Sequence, residues 1–435
     1  MDLKLGIVKG THKLLSFFGR GGSLPGSIAL KLDKDFIKRF KMPEIVILVT
    51  GTNGKTTTSN LIAESLRASG LKVINNHRGD NLNVGIATLL ATNADANYVI
   101  HADAVVIEVD ELTLYRQFDH LHPSHLVVTN FFRDQLDRAG EMETIIRKIM
   151  AVTKDFTGTL ILNGDDPNVL RLKDNAEKAK TLIFSVGKNE ESLLETDEAS
   201  EGKFCPRCGN RLHYDYYQYS HIGRFNCPKD HYGEITPDLF VEKVDKEKGT
   251  FIVNNTEFHS FINALYAIYN CASVLCVMKS LNLDLSNADK VFRTYSLKEG
   301  RNEEFNLNKP CIINLIKNPT GANEVMKEIN SHEEDKMICI FLNDNDQDGH
   351  DISWIWDAHF ERLNQKNIRE IVCSGLRAYD MALRLKYEGL EDKIKVIEDS
   401  VKAVHYLNEA NMNSYIMCTY TALHATRAIL RKEEK

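Results

Sequence analysis

Apolar residues recur along this chain in two rhythms, short unbroken runs and helical stripes. The runs Ile45–Thr50, Lys72–Asn75, Ala104–Val109, His125–Thr129, Thr159–Leu162 and Thr181–Ser185 read as strands. Each is too short for a helix and mostly apolar, as strands with both faces covered are. Amphipathic segments lie between them, such as the one carrying Leu61, Ile62 and Leu66 and closed by Gly70. Such alternation predicts a mostly parallel sheet with helices on both faces. Residues 190–247 break the rhythm with a polar run, a hairpin-like segment follows, and Ala264–Leu283 reads as a helix. A second alternating unit starts near Pro310, with strands at Cys311–Leu315, Met337–Leu342, Ile371–Ser374, Lys393–Ile397 and Tyr415–Cys418. Ahead of the first strand, Leu3, Ile7, Leu14, Leu15 and Phe18 form a helical stripe beside Lys4, Lys9, Lys13 and Arg20. That stripe packs on the protein's own body or touches a membrane surface, and the first is the expectation.

Composition narrows the classes. A chain of 435 residues exceeds one core, so two or three domains are expected. A formal charge of −7 argues against a general nucleic-acid binder. The apolar runs are strand-sized and no secretory signal is evident, so the expected location is cytoplasmic. Nine cysteines without a small disulfide framework suit a reducing compartment. Six of them (Cys271, Cys276, Cys311, Cys339, Cys373, Cys418) stand singly in apolar surroundings and read as core thiols.

The strand Ile45–Thr50 runs into Gly51-Thr52-Asn53-Gly54-Lys55-Thr56-Thr57-Thr58 and then a helix. Glycines there let backbone N–H groups approach phosphate oxygens, and the helix N-terminus favours anions. Lys55 can reach β- and γ-phosphates, and the Thr56 hydroxyl suits Mg²⁺. The chain is therefore expected to bind a nucleoside triphosphate. Glu108, Asp110 and Glu111 end an apolar strand on the sheet edge where ligands bind, so Glu108 is the candidate carboxylate for Mg²⁺. Cys205-Pro206-Arg207-Cys208-Gly209 is a zinc-knuckle turn, and Cys227-Pro228-Lys229-Asp230-His231 follows a tyrosine-rich hairpin. Tetrahedral Zn²⁺ needs four ligands. Cys205, Cys208 and Cys227 are three, with His231 preferred as the fourth and Asp230 or His221 as alternatives. Such a site would be structural, closing a small insertion.

The set GTNGKTTT, the acidic strand end, Asn130–Arg138, Leu162-Asn163-Gly164-Asp165-Asp166-Pro167 and Gly300-Arg301 resembles the Mur ligase superfamily. With the cysteine insertion and the loop Leu342–Asp357 (DGxDxSWxxD), the resemblance narrows to the ligase subunits of lipid II isoglutaminyl synthases, over about residues 20–425. It implies a Mur-ligase-like P-loop central domain at 41–300 with a zinc ribbon at about 200–235. A helical segment at 1–40 precedes it, and a smaller Rossmann-like α/β domain at 301–435 follows. It implies ATP-dependent amidation of the D-glutamate α-carboxylate of the lipid II stem peptide through an acyl phosphate. Lys55, Thr56 and Glu108 would serve phosphates and Mg²⁺, Asn163 and Asp166 would lie near base and ribose, and Arg301 would reach ATP. Two positions depart from the wider pattern. Gln135 replaces the histidine of Asp-His-Leu-Asp, and Lys148 stands one place off the lysine that many members carbamylate. In the helix after the insertion, only Asn270 remains of a Gly-and-two-Asn pattern.

No cysteine sits in a Gly-x-Cys-x-Gly elbow, and the chain begins Met1-Asp2. Glutamine-derived ammonia is therefore expected from a second polypeptide. The resemblance names it as a GatD-like class I glutaminase forming a heterodimer, whose Cys-His pair an aspartate of this loop would complete. Asp351 is the first choice by position and Asp348 the second. The competing readings are another Mur-type or folylpolyglutamate-type ligase, a zinc-ribbon nucleic-acid-binding ATPase, and a non-catalytic nucleotide-binding scaffold.

Overall fold

In the computed structural model, residues 2–17, 23–77, 79–133, 142–196, 198, 201–296 and 300–434 are described. Phe18, Arg20 and Gln135 lie outside them. Contacts divide the chain into two compact units, one built from Met1–Phe131 and Glu143–Tyr295, the other centred on Ser296–Lys435.

In the first unit, α1 (Leu3–Phe17) and α2 (Leu24–Leu32) lead into β1 (Ile45–Thr50) and α3 (Lys55–Ala68). Then come β2 (Val73–Asn75), α4 (Asn83–Asn93), β3 (Ala104–Glu108), α5 (Glu111–Leu121), β4 (His125–Val128) and α6 (Met142–Thr153). β5 (Thr159–Asn163), α7 (Pro167–Asn175) and β6 (Lys180–Val186) complete the alternation. β1, β3 and β4 are buried along almost their whole length, which is why they read as unbroken apolar runs. The hairpin β7 (His213–Tyr219) and β8 (Ile222–Asn226) forms its own two-stranded sheet. β9 (Leu239–Asp245), β10 (Thr250–Val253) and β11 (Thr256–His259) precede α8 (Leu265–Ser280) and α9 (Ser286–Thr294).

The main sheet runs β11-β10-β9-β6-β5-β4-β1-β3-β2. It is parallel from β2 to β9, with Val49 beside Glu108, Thr50 beside Val128 and Phe184 beside Leu239. The antiparallel edge β9–β11 was read from sequence only as a hairpin, because β9 alternates buried and exposed positions instead of running apolar. The chain winds from β1 to one side through β3 and β2, then to the other through β4, β5 and β6. This reversal places a ligand crevice at the carboxyl end of β1.

α1 carries a second apolar face besides the stripe read from sequence. Leu5 and Val8 are buried where α1 packs on α2 and α4, while Leu3, Ile7 and Leu14 remain exposed.

The second unit contains β12 (Glu303–Asn306), β13 (Pro310–Leu315), α10 (Pro319–Ser331), β14 (Lys336–Phe341), β15 (Ile368–Ser374), α11 (Ala378–Tyr387), β16 (Ile394–Val396), α12 (Ser400–Glu409), β17 (Asn413–Cys418) and α13 (Tyr420–Glu433). Its sheet order is β12-β13-β17-β14-β15-β16, antiparallel only at β12. One apolar cluster covers each face, and Cys311, Cys339, Cys373 and Cys418 are buried within them.

Candidate active site

At the carboxyl end of β1 the backbone turns through Gly51 (φ +121°) and Gly54 (φ +82°) into α3. A Cβ on Gly51 would stand 2.4 Å from Thr129 Oγ1, and one on Gly54 would stand 2.6 Å from Asn270 Oδ1. Only glycine meets both the conformation and the closeness. The loop is clamped from β4. The Thr52 N–H donates to Asn130 O (2.9 Å), the Asn53 N–H to Asn130 Oδ1 (2.9 Å), and Thr129 Oγ1 to Asn53 O (2.8 Å). Thr57 is buried at the N-terminus of α3, an end whose dipole favours anions.

Lys55 is almost fully buried, a costly position for an ammonium without partners. Its Nζ donates to Gly51 O, to Thr52 O (3.3 Å) and to Glu111 Oε1 (3.2 Å). Asp110 caps α5 by accepting from the Leu112 and Thr113 N–H groups, which sets Glu111 on the first helical turn.

Glu108 is 2% exposed. Asn76 pairs with its backbone in both directions, and Asn81 Nδ2 donates to its Oε1 (2.8 Å). Its Oε2 is buried with no hydrogen-bond partner. A Cβ on Gly79 would lie 3.3 Å from that oxygen and 3.4 Å from Thr56 Oγ1. A buried, unpartnered carboxylate oxygen separated from a hydroxyl by a gap one methyl would crowd fits a small hard cation with oxygen ligands.

The turn after β5 is tied into the sheet by its own side chains. Asn163 and Asp166 are fully buried and were predicted near base and ribose. Asn163 Nδ2 donates to Thr129 O, and its Oδ1 accepts the Asp165 N–H. Asp166 accepts the Phe131 N–H at Oδ2 and caps α7 through the Asn168 and Val169 N–H groups at Oδ1. These side chains tie the ends of β4 and β5 together, because the loop's backbone donors, desolvated in the fold, claim their oxygens. Between them, Asp165 accepts from Ser185, Val186 N–H and Tyr269, and burial pushes its carboxyl up to about 6.

The cysteines converge. Ligand atoms of Cys205, Cys208, Cys227 and Asp230 all lie within 4.8 Å of one another. Cys208 and Cys227 sulfurs are 3.5 Å apart, and Cys205 Sγ is 3.2 Å from Asp230 Oδ2. They sit on a satellite core of Leu170, Ile183, Leu212, Tyr214, Phe225 and Tyr232. Asp230, an alternative from sequence, joins the three sulfurs, and His231, the preferred fourth ligand there, does not. The two turns are equivalent, with the Gly209 N–H bonding Cys205 O and the His231 N–H bonding Cys227 O. Gly209 (φ +73°) and His231 (φ +61°) occupy the same left-handed position. The residue before it faces the cluster, while His231 is 71% exposed and pairs with Glu234. The other alternative, His221, is buried 3.3 Å from Asp166 instead.

Asp348, Asp351 and Arg301 belong to the second unit. Asp348 is buried, accepting the Thr421 N–H (2.7 Å), the Thr421 hydroxyl and the Asn345 N–H. Asp351 is half-buried and accepts the Ser353 N–H (2.8 Å). Hydrogen bonds from the Ser353 side chain and backbone hold its carboxyl below the usual range. Arg301, also half-buried, follows Gly300 (φ +74°). Asn81 and Gly79 were not singled out from sequence, and Glu111 and Asn130 were named there without these roles. The only signal was their place at strand ends beside the cradle.

Two family models match the chain, "Mur ligase middle domain" over residues 49–228 and "MurT ligase C-terminal" over residues 315–423. The lipid II isoglutaminyl synthase (glutamine-hydrolyzing) subunit MurT of Staphylococcus aureus (strain COL) is 34% identical over 416 residues, covering 93% of this chain and 91% of the relative. The subunit of the same name from Streptococcus pneumoniae is 34% identical and covers 100% of both. Among solved structures, a pseudomurein peptide ligase type C from Methanothermus fervidus superposes with a TM-score of 0.71 at 19% identity, over 92% of this chain and 80% of that one. MurF from Acinetobacter baumannii gives 0.62 at 13% identity, over 89% and 76%. These two likenesses speak for the fold alone.

Proposed function

This chain belongs to the MurT family of Mur ligases, and on that premise we infer that it is the ligase subunit of a glutamine-dependent enzyme that amidates lipid II. ATP phosphorylates the α-carboxylate of the stem-peptide D-glutamate. Ammonia then attacks the acyl carbon, the C–O bond to phosphate breaks, and phosphate leaves with the electron pair while the nitrogen loses a proton. The product is D-isoglutamine. The observation that carries the reading is the unpartnered Glu108 Oε2 beside Thr56 in a correctly formed phosphate cradle.

Within that reading, Lys55 and the N–H groups of residues 51–57 bind and orient the phosphates, lowering the barrier by positioning and charge stabilisation. Mur ligases use ATP and Mg²⁺; Glu108 and Thr56 would hold Mg²⁺, which neutralises phosphate charge when bound. Glu111 orients Lys55. Arg301 is proposed to contact the nucleotide, and Asp351 to serve a GatD-like class I glutaminase. The test is mass spectrometry of lipid II incubated with this chain and its glutaminase. A one-dalton loss that requires both ATP and glutamine is expected. Its absence with active, assembled protein would overturn the reading.

Cys205, Cys208, Cys227 and Asp230 are proposed to hold a structural Zn²⁺, the donor set and mutual distances suiting a closed tetrahedral site. Metal analysis should find one zinc per chain. Loss of an outer hydrogen-bond partner weakens a zinc site by roughly 10–100-fold, so Asp230→Ala should weaken it by more than that. Asp230→Cys should retain the metal, and His231→Ala should leave it unchanged.

Among the described residues, no helix is long and apolar enough to cross a membrane. The exposed Leu3, Ile7 and Leu14 of α1, beside the exposed Lys13, are proposed to rest on the membrane that carries the lipid-linked substrate. Sedimentation with phosphatidylglycerol vesicles should pull down the chain weakly. Changing all three residues to Gln should abolish that, with no effect on thermal unfolding.

A further inference from the structure

The turn after β5 stands between the cysteine insertion and the phosphate cradle, and both hold it. Three contacts come from the insertion. The Tyr232 hydroxyl donates to Pro167 O, the Gly223 N–H donates to Asp165 O (2.9 Å), and His221 Nε2 lies 3.3 Å from Asp166 Oδ1. Tyr232 and His221 are buried, in surroundings where a polar contact is stronger than in water.

Tyr232 belongs to the second turn of the metal cluster. Its N–H donates to Asp230 Oδ1 (2.9 Å) while Asp230 Oδ2 faces Cys205 Sγ, and its carbonyl accepts the Cys227 N–H (2.7 Å). One carboxylate thus serves the cluster with one oxygen and places Tyr232 with the other. From the first turn, the Arg207 guanidinium lies 5.0 Å from the centre of the Tyr232 ring and pairs with Asp174 of α7 at 2.6 and 2.7 Å. Bonds just outside a ligand set orient the ligands, and the same bonds carry the geometry of the cluster outward.

From the turn, two lines run on to the cradle. Asp166 Oδ2 accepts the Phe131 N–H (2.8 Å) and Asn163 Nδ2 donates to Thr129 O (3.1 Å). These anchors flank Asn130, whose backbone and side-chain oxygens hold the Thr52 and Asn53 N–H groups. The second line passes through α8. Asp165 Oδ2 accepts from the Tyr269 hydroxyl (2.7 Å), and the Tyr219 ring of the insertion meets Tyr269 edge-on with centroids 5.7 Å apart. The next residue, Asn270, is the one whose side chain closes on Gly54. A metal that only closed its own insertion would need neither line.

We propose that the insertion is a positioning device for nucleotide binding, in which the metal cluster sets the cradle through Tyr232 and the turn after β5. The proposal rests on the zinc and cradle readings above. Tyr232 is a positioning residue and touches no nucleotide. Without metal, the Asp230 turn no longer fixes Tyr232, the hold on Pro167 loosens, and the clamp at Asn130 loses its support. Backbone N–H groups that converge on phosphate oxygens are then less preorganised, and affinity falls.

The experiment titrates methylanthraniloyl-labelled ATP with Mg²⁺ into the full chain, measuring zinc content and thermal unfolding on every sample. The samples are wild type, wild type stripped by a zinc chelator, the stripped chain with Zn²⁺ restored, and Tyr232→Phe. Stripping should raise the dissociation constant at least about 10-fold, the lower end of what disturbing the surroundings of a metal site costs, and Zn²⁺ should reverse it. Tyr232→Phe should keep its zinc and raise the constant by about 3–10-fold, the worth of one hydrogen bond. In amidation on ammonium chloride, that change should appear in the KM for ATP and not in kcat. Wild-type affinity in Tyr232→Phe, or in a stripped chain that remains folded, would overturn the proposal. If the stripped chain unfolds, Tyr232→Phe decides alone. A wild-type chain that binds no nucleotide would overturn the cradle reading and the proposal together. One that binds nucleotide but carries no zinc would overturn the metal's part, while Tyr232→Phe still decides the hold on the turn.

Discussion

Lys55→Ala should reduce ATP-dependent amidation by at least about 10²–10³-fold in kcat, whichever nitrogen source is supplied. Lys55 is the cation of the cradle, and phosphoryl transfer depends on such groups more than on any covalent chemistry from the protein. Structural damage could mimic this loss. The Lys55–Glu111 pair is nearly buried, with side-chain exposures of 9% and 13%. Removing one partner of a buried pair leaves a desolvated charge, at a cost of about 3–5 kcal/mol. The single variant should therefore also unfold at lower temperature. Lys55→Ala/Glu111→Gln separates the two effects, since neutralising Glu111 should restore much of the stability and none of the activity. If the double variant regained amidation, Lys55 would have no part in the chemistry.

Asp351→Asn should leave ammonium-driven amidation within about twofold of wild type while lowering glutamine hydrolysis and glutamine-driven amidation of the assembled enzyme by about 10³–10⁴-fold. That is the scale seen when the carboxylate orienting a catalytic histidine becomes an amide. Asp348→Asn should behave in the opposite way. Its carboxylate accepts three donors, one from its own loop and two from Thr421, so an amide nitrogen must face one of those donors, at a cost of about 1–3 kcal/mol. Thermal stability should fall and both nitrogen sources should suffer alike. Equal loss on both sources from Asp351→Asn would remove Asp351 from the glutaminase.

The two aspartates are three residues apart in one polar loop, and nothing local separates them. Burial does. Asp348 turns inward toward Thr421 at the start of α13, 73 residues away, while Asp351 stays half-buried on its own turn. The same holds for the turn after β5, where the backbone of Phe131 and Thr129 engages Asp166 and Asn163. His231 was preferred over Asp230 on ligand chemistry. His231 takes the left-handed position that Gly209 holds in the first turn, and its ring is exposed against Glu234.

The cradle and the six-strand alternation around it were legible from the residues, because each depends on neighbours within one turn or strand. Gly51 and Gly54 answer to backbone conformation, Lys55 and Thr56 to the helix that starts there, and the buried strands to unbroken apolar runs. The second unit's strands were legible for the same reason. Contacts made across long stretches of chain were not. The pairing of Lys55 with Glu111, the Asn130 clamp on the loop, the choice of Asp230, and the hold of Tyr232 on the turn after β5 all depend on which of several alike side chains the packed chain removes from water. Local pattern states what a residue can do. Desolvation by distant elements settles which residue does it, since the cost of burying a charge or an unpaired oxygen far exceeds any difference in local propensity.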